Sequence, residues 1–207
     1  MTAALRRFLA PREPAPERCE LCGVVVAEHG HRHLVDVEQR SLSCACIPCS
    51  LLFEHSGAAR GRYRAVPDRY LTDPQLRLDD AAWDLLQIPV GVAFFFRNSA
   101  LDRLVALYPS PAGATESELD PSAWQAVLDG TRLAALLEPD VEALLLRRSQ
   151  DGYACYLVPI DVCYRLVGQM RLHWKGFDGG ARARAELDAF FAHVAGRARI
   201  PQEAAQP

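Results

Sequence analysis

Lysine is almost absent from this chain of 207 residues: Lys175 is the only lysine among its 23 lysines and arginines. Lys175 is therefore the only side chain that can form a Schiff base or act as an ammonium catalyst. The formal net charge of −3 leaves no excess of basic groups. This balance argues against a protein dedicated to binding nucleic acid or an anionic membrane.

Long apolar segments are also missing. No run approaches the roughly 20 apolar residues that are needed to span a bilayer, and the N-terminal segment MTAALRRFLAPREPAPER lacks the apolar core and cleavage site of a signal peptide. We therefore predict a cytoplasmic protein, in which thiols stay reduced. In that compartment, closely spaced cysteines indicate metal binding or catalysis before disulfides.

Two common signatures of enzymes are not found in the sequence. No serine, histidine and aspartate have a recognisable triad spacing, and no glycine-rich loop connects a predicted strand to a predicted helix. We therefore expect a non-enzymatic protein and assign no catalytic residue.

What the chain does contain is a concentration of cysteine near its N-terminus. Cys19 and Cys22 are separated by two residues, and so are Cys46 and Cys49. A Cys-x-x-Cys knuckle is a tight turn that directs two thiolates at one point, and two knuckles complete a tetrahedral metal site. We therefore predict a structural four-cysteine site from these residues, with Cys44 as an alternative ligand.

The identity of the ion follows less directly from the residues. Zinc and iron both accept four thiolates. We favour Zn²⁺ because a segment this short cannot fold on its own core, and a structural zinc ion supplies the missing free energy. Iron is the alternative.

The residues between the two pairs predict the hairpin of a zinc ribbon or rubredoxin-like module. The segment VVVAEHGHRHLVDVE is expected to reverse near His29 and Gly30, and Gly23 suits the left-handed exit of the first knuckle. His29, His31 and His33 alternate, so a strand places them on one face. We interpret them as an exposed hairpin tip, with an alternative ligand set or a second metal site as the other possibilities.

Composition divides the chain into five segments. They are a flexible tail (1–17), the metal module (18–55), an arginine-rich connector (56–77), an α+β domain (78–199) and a second flexible tail (200–207).

The larger domain has the pattern of an α+β fold. Four apolar segments predict strands in two hairpins, closed by the turns NSALD and SQDG: VGVAFFFR, RLVALYP, VEALLLRR (which can also be helical) and YACYLVPI. Helices are predicted at DDAAWDLLQI, capped by Asp79 or Asp80, at DPSAWQAVLDG, from Ile160 to Trp174 and near the C-terminus. The predicted fold class is α+β, an antiparallel sheet of two hairpins with helices packed on one side.

The segment YPSPAGATESELD, residues 108–120, is predicted to be a long polar loop. Loops of this kind often carry function. We expect it to present Thr115, Glu116, Ser117 and Glu118 to a protein partner. The alternative is a crossover in which Thr115 or Ser117 caps a turn.

Taken in order, eight motifs resemble a known family over roughly residues 18–197: CELCG, HRHLVDVE, CACIPC, IPVGVAFFFRNS, YPSPAGATESELD, LEPDVEALLLRR, YLVPIDVCYRLVG and HWKGFDGG. They resemble DUF5947, a bacterial family without an assigned activity. Its genes often lie among those of actinobacterial-type NiFe-hydrogenases. The resemblance implies an accessory protein beside a metalloenzyme, and it does not say which residues act.

Three hypotheses from different classes follow. The first is a cytoplasmic, metal-binding accessory protein whose partner is a hydrogenase subunit or maturation factor. The second is a small redox protein that uses iron in the four-cysteine site or a reactive Cys44. The third is a zinc-ribbon nucleic-acid binder that uses ARGRYR, which the net charge of −3 disfavours.

Overall fold

The computed structural model of the chain describes residues 16–27, 30–55, 57–117, 125, 127–175 and 179–202. Its framework is a pair of antiparallel sheets, one of three strands and one of six. Among the described helices, none combines the length and the hydrophobicity that crossing a membrane requires.

The smaller sheet lies in the N-terminal part of the chain, in the strand order β2-β1-β3. Its strands are β1 (His31–Asp36), β2 (Ser41–Cys46) and β3 (Tyr63–Ala65). A short helix, α1 (Ile47–Leu51), starts directly after β2, with a proline in its first turn. Proline is favourable there because the first N–H groups of a helix have no intrahelical acceptor.

The hairpin of β1 and β2 reverses at residues 37–40. The Gln39 N–H donates to the Asp36 carboxylate at 2.9 Å, and Arg40 adopts a left-handed φ of 54°. The hairpin of β1 and β2 therefore does not turn at the predicted point near His29 and Gly30, where the Gly30 N–H donates to the Ala27 carbonyl at 2.9 Å and closes a separate turn. An aspartate side chain that accepts from the backbone three residues later stabilises the turn of the β1–β2 hairpin; His29 itself lies outside the described residues.

The larger sheet has the strand order β4-β9-β8-β5-β6-β7. Its strands are β4 (Leu71–Thr72), β5 (Val92–Asn98), β6 (Arg103–Ser110), β7 (Gly113–Glu116), β8 (Glu142–Ser149) and β9 (Gly152–Pro159). Both predicted hairpins, β5–β6 and β8–β9, are present. The segment VEALLLRR is a strand because it lies in the middle of the sheet, where both of its faces are buried.

Helices cover both faces of this sheet, so the prediction of helices on one side is wrong. On one face, Phe94 and Leu145 pack under α3 (Ile160–His173) and α4 (Gly180–Arg197). On the other face, Phe95 of β5 and Leu144 of β8 pack with Trp83 of helix α2 (Asp80–Leu85). Central strands that carry apolar side chains on both faces must be covered on both faces.

The start of α2 confirms a detail of the sequence analysis. The Asp79 side chain accepts a hydrogen bond from the Ala82 N–H at 2.8 Å, as an N-cap residue does. The helix predicted at DPSAWQAVLDG lies largely outside the described residues.

The predicted polar loop at residues 108–120 is in large part a third hairpin. Residues 111–112 form a tight turn, and β7 follows with Thr115 opposite Tyr108. Gly113 permits this turn because its φ is 125°, a region that side chains disfavour. Glu118 lies outside the described residues.

The segment predicted as a connector, residues 56–77, contributes to both sheets: β3 joins the smaller and β4 the larger. Val35, Val66 and Tyr70 belong to the same apolar core as the face of the large sheet under α3 and α4. The two sheets are therefore packed against each other through this segment.

A buried ion pair anchors the same segment. The Arg69 guanidinium donates to both oxygens of the Glu142 carboxylate, at 2.8 and 2.6 Å. The Glu142 side chain is 0% exposed. A carboxylate this buried depends on its partner, because an uncompensated charge inside a protein costs several kcal/mol.

We predict that Arg69→Met lowers the free energy of unfolding by about 3 kcal/mol, because it leaves Glu142 buried and unpaired. The matched control is Arg148→Met, since Arg148 pairs with the exposed Asp80 and Asp84 and its loss is expected to cost less than about 1 kcal/mol. Urea unfolding at constant metal content measures both. Equal losses in the two variants contradict the prediction.

Candidate metal centre

The structure brings Cys19, Cys22, Cys46 and Cys49 together, with their sulfurs within 4.8 Å of one another. All four are free thiols. The Cys22 and Cys46 sulfurs are 3.7 Å apart. A regular tetrahedron around zinc, with Zn–S bonds of about 2.3 Å, has sulfur–sulfur edges of about 3.8 Å. The donor set and its spacing therefore fit a tetrahedral, thiolate-binding metal ion.

The first pair lies in a tight turn. The Gly23 N–H donates to the Cys19 carbonyl at 2.8 Å, and the Cys19 N–H donates to the Val24 carbonyl at 2.9 Å. Gly23 has a φ of 75°, which confirms the predicted left-handed exit. Arg18 donates to the Gly23 carbonyl at 3.0 Å and holds the turn from outside.

The second cysteine pair has a different backbone conformation from the first. Cys46 ends β2, and Cys49 lies in the first turn of α1. Residues three apart in a helix lie on the same side, so the helical turn also brings two sulfurs to one point. The four ligand candidates are thus supplied by one tight turn and one helix start.

Two hydrogen bonds join the first turn to β2. The Glu20 N–H donates to the Cys44 carbonyl at 2.9 Å, and the Cys44 N–H donates to the Glu20 carboxylate at 2.7 Å. These contacts fix the first cysteine pair beside the end of β2, where Cys46 lies. Around the site is a small apolar cluster of Cys19, Val26, Leu34 and Ala45.

The thiols differ in their tendency to ionise. Burial alone raises the pKa of Cys19, but hydrogen bonds from backbone N–H groups, among them those of Cys46 and Cys22, outweigh it and lower the pKa to about 6. Hydrogen bonds with the Cys46 and Cys22 thiols, together with burial, raise the pKa of Cys49 to about 12. Cys19 thus forms a thiolate readily while Cys49 resists ionisation, so binding a metal as four thiolates must release protons.

Cys44 does not belong to this cluster. It lies opposite His33 in the β1–β2 pairing, and its sulfur is within 4.8 Å of a ring nitrogen of His31 and of His33. The two histidines lie on strand β1, and their side chains are only 15% and 25% exposed. Their interpretation as an exposed hairpin tip is therefore wrong.

The sequence does not predict that Asp161 contacts these histidines. The His33 Nδ1–H donates to the Asp161 carboxylate at 2.8 Å. Asp161 lies in the first turn of α3, and 128 residues separate it from His33. Local sequence patterns do not reveal such a contact, because it depends on how the two sheets pack.

Three of the four predicted partner-binding residues, Thr115, Glu116 and Ser117, lie at the β7 edge of the large sheet. Glu116 forms an ion pair with Arg103 at 2.7 Å. Thr115 donates to the Ser110 hydroxyl at 2.8 Å, and the Ser117 N–H donates to the Ala106 carbonyl at 3.0 Å. Thr115 and Ser117 therefore stabilise the hairpin, and of these three residues Glu116 is the exposed one.

A cavity of about 520 Å³ lies beside this edge, between the β1–β2 turn and the large sheet. Val35 and Tyr164 contribute apolar walls, and Arg40, Arg103 and Glu116 contribute charge. The β7 edge and the N-terminal module therefore face a common space.

Fold and site together define a protein of mixed α/β structure, with antiparallel sheets and a four-cysteine cluster that can hold a metal ion. The chain belongs to the DUF5947 family, a family of unknown function, whose sequence profile matches residues 18–198. The resemblance drawn from the motifs is thus confirmed. No curated protein and no solved structure shows a significant match to the chain.

We predict that serine at Cys19, Cys22, Cys46 or Cys49 abolishes tight binding of one equivalent of Zn²⁺, because each change removes one of four thiolates. Cys44→Ser is the matched control and is expected to retain that equivalent. Metal analysis after dialysis against a weak chelator measures it. If Cys44→Ser loses the tight ion while Cys46→Ser keeps it, the ligand assignment is wrong.

We predict that a strong chelator unfolds the N-terminal module and leaves the large sheet folded. The module has only a small apolar cluster of its own, whereas two extensive cores flank the large sheet. Hydrogen exchange followed by mass spectrometry should show loss of protection in β1 and β2 but not in β5 and β8. Equal loss in all four strands shows instead one cooperative unit without a boundary between residues 18–55 and 78–199.

Proposed function

We propose that this protein is a cytoplasmic, non-enzymatic accessory protein with a structural zinc centre of four cysteines and a protein-binding α+β domain. The observation that carries the proposal is the convergence of four cysteines from two separate segments within 4.8 Å. A site of four thiolates is closed to substrate, since structural zinc sites have no open coordination position. The role proposed for the ion is therefore to hold the module in a zinc-ribbon-like shape.

The small size of the module supports a structural ion. Its own apolar cluster has four buried members, one of which is the ligand candidate Cys19. Apart from this cluster, the described residues of the segment share only the core of the large sheet, through Val35 and its neighbours, and a bound metal supplies further free energy against the conformational entropy of the segment. Iron in the same site makes a redox protein, and it is the second candidate because four thiolates suit both ions.

The β7 edge is the proposed partner surface. Within the described residues, β7 is one of the two edge strands of the large sheet, so one side of its backbone has no strand partner. An edge of this kind can accept a strand from another protein, and side chains beside it select the partner. Glu116 supplies an exposed charge at this edge.

The identity of the partner rests on the gene context that the family resemblance implies. We propose a subunit or a maturation factor of a NiFe-hydrogenase. Binding of nucleic acid through ARGRYR has less support, because Arg62 donates twice to Asp36 and Arg64 pairs with Asp140. Two of the three arginines in that motif thus form ion pairs with carboxylates of the same chain.

We predict that Glu116→Ala weakens capture of a hydrogenase subunit or maturation factor, because it removes the exposed charge at the β7 edge. The stability of the fold is expected to change by about 0.5 kcal/mol or less, as for most exposed substitutions. The measurement is affinity capture from the native host with identification by mass spectrometry. Glu118→Ala, which the sequence also predicts to matter, is combined with it in a double variant.

Asp84→Ala is the matched control, since Asp84 is also an exposed acid paired with an arginine, on the opposite face of the sheet. It is expected to leave capture unchanged. Recovery of no hydrogenase component by the unmodified protein contradicts the proposed partner. Iron in the purified protein, seen as visible absorbance and by metal analysis, favours the redox candidate.

A further inference from the structure

Beside the four-cysteine centre is a second group of metal-ligating side chains: His31, His33 and Cys44. One ring nitrogen of each histidine and the cysteine sulfur lie within 4.8 Å of one another. The pairing of β1 with β2 produces this group, because it sets His33 opposite Cys44 and His31 opposite Cys46. Directly paired residues of an antiparallel ladder project from the same face.

The hydrogen bonds of the two imidazoles are those of ligating histidines. The Nδ1 of His33 is 2.8 Å from the Asp161 carboxylate, and the Nδ1 of His31 is 3.2 Å from the Ala27 carbonyl. Both partners are acceptors, so Nδ1–H is the donor in each ring, and Nε2 is the nitrogen left for a metal. A histidine that ligates a metal almost always donates its other ring N–H to a carboxylate or a carbonyl in this way.

Negative charge surrounds the group. The Glu17 carboxylate lies 3.7 Å from Nδ1 of His31, and the Glu20 carboxylate accepts the Cys44 N–H at 2.7 Å. Asp161 adds a third carboxylate through His33. A cation bound between the three ligands therefore enters a field that favours positive charge.

We propose that His31, His33 and Cys44 form a second metal site, which binds an exchangeable divalent transition-metal ion of the zinc type. Two imidazoles and one thiolate are ligands that such ions accept. Among the described residues three ligands converge, and water or one further donor would complete a tetrahedron. In this respect the second site differs from the closed four-cysteine centre.

The second site is separate from the first although the two are neighbours. Cys44 and Cys46 are two residues apart on β2, which corresponds to about 6.8 Å along an antiparallel strand. Cys46 belongs to the four-cysteine cluster and Cys44 to the His31–His33 group. The second site thus gives a role to the fifth cysteine of the N-terminal module, which the four-cysteine centre does not use.

The test uses Co²⁺ as the probe, added to full-length protein that already holds one equivalent of Zn²⁺. We expect one further equivalent to bind, with the near-ultraviolet charge-transfer absorption of a Co²⁺–thiolate bond. Cys44→Ser should remove that absorption, and His33→Ala should remove the second equivalent. In all variants, the Zn²⁺ content should stay at one equivalent per chain.

Asp161 is a positioning residue, since it acts through His33. Asp161→Asn is expected to weaken the second equivalent by roughly 10–100-fold, the usual effect of losing an outer-shell partner, and Asp161→Glu should restore part of the affinity. The matched control is His193→Ala, because His193 is an exposed histidine of α4 outside both clusters. It should leave both equivalents unchanged.

The outcomes separate this proposal from the proposed function. If the protein binds one equivalent only, and Cys19→Ser abolishes it while Cys44→Ser does not, the second site is refuted and the four-cysteine centre stands. If the single equivalent depends on Cys44 and His33 but not on Cys19, the four-cysteine centre is refuted and the second site stands. A second equivalent that survives both Cys44→Ser and His33→Ala also overturns the proposal.

Discussion

The pairing register of β1 with β2 is the constraint on which both candidate metal sites depend. It sets Cys46 at the end of β2, next to the Cys19–Cys22 turn, and sets Cys44 opposite His33. Because side chains alternate along a strand, a shift of one residue would move these donors to the other face. The Asp36 side chain, which accepts the Gln39 N–H, stabilises the turn that sets this register.

The large sheet positions the N-terminal module through direct contacts. Val35 lies in the core under α3 and α4, and His33 is hydrogen-bonded to Asp161 at the start of α3. Residues 56–77, between the N-terminal module and the α+β domain, add a strand to each sheet. The Arg69–Glu142 ion pair anchors this segment. The geometry around the histidines therefore depends on residues far away in the sequence.

Local patterns predict the elements well where local physics decides them. The Asp79 cap, the β8–β9 hairpin and the left-handed Gly23 are of this kind. Some errors are local, since residues 113–116, predicted to lie in a loop, form strand β7, and others concern relations between elements. Strands β5 and β8 are apolar on both faces, and this pattern already requires covering layers on both sides, yet the sequence does not say which helices supply them.

By itself, the sequence determined which cysteines have ligand spacing, because a two-residue separation acts through one local turn. It also determined the family to which the chain belongs, since long ordered motifs carry that information. Only the tertiary structure decided where Cys44 lies and which carboxylate meets His33. These contacts follow from strand register and from sheet packing, which sum many weak interactions between residues distant in the chain.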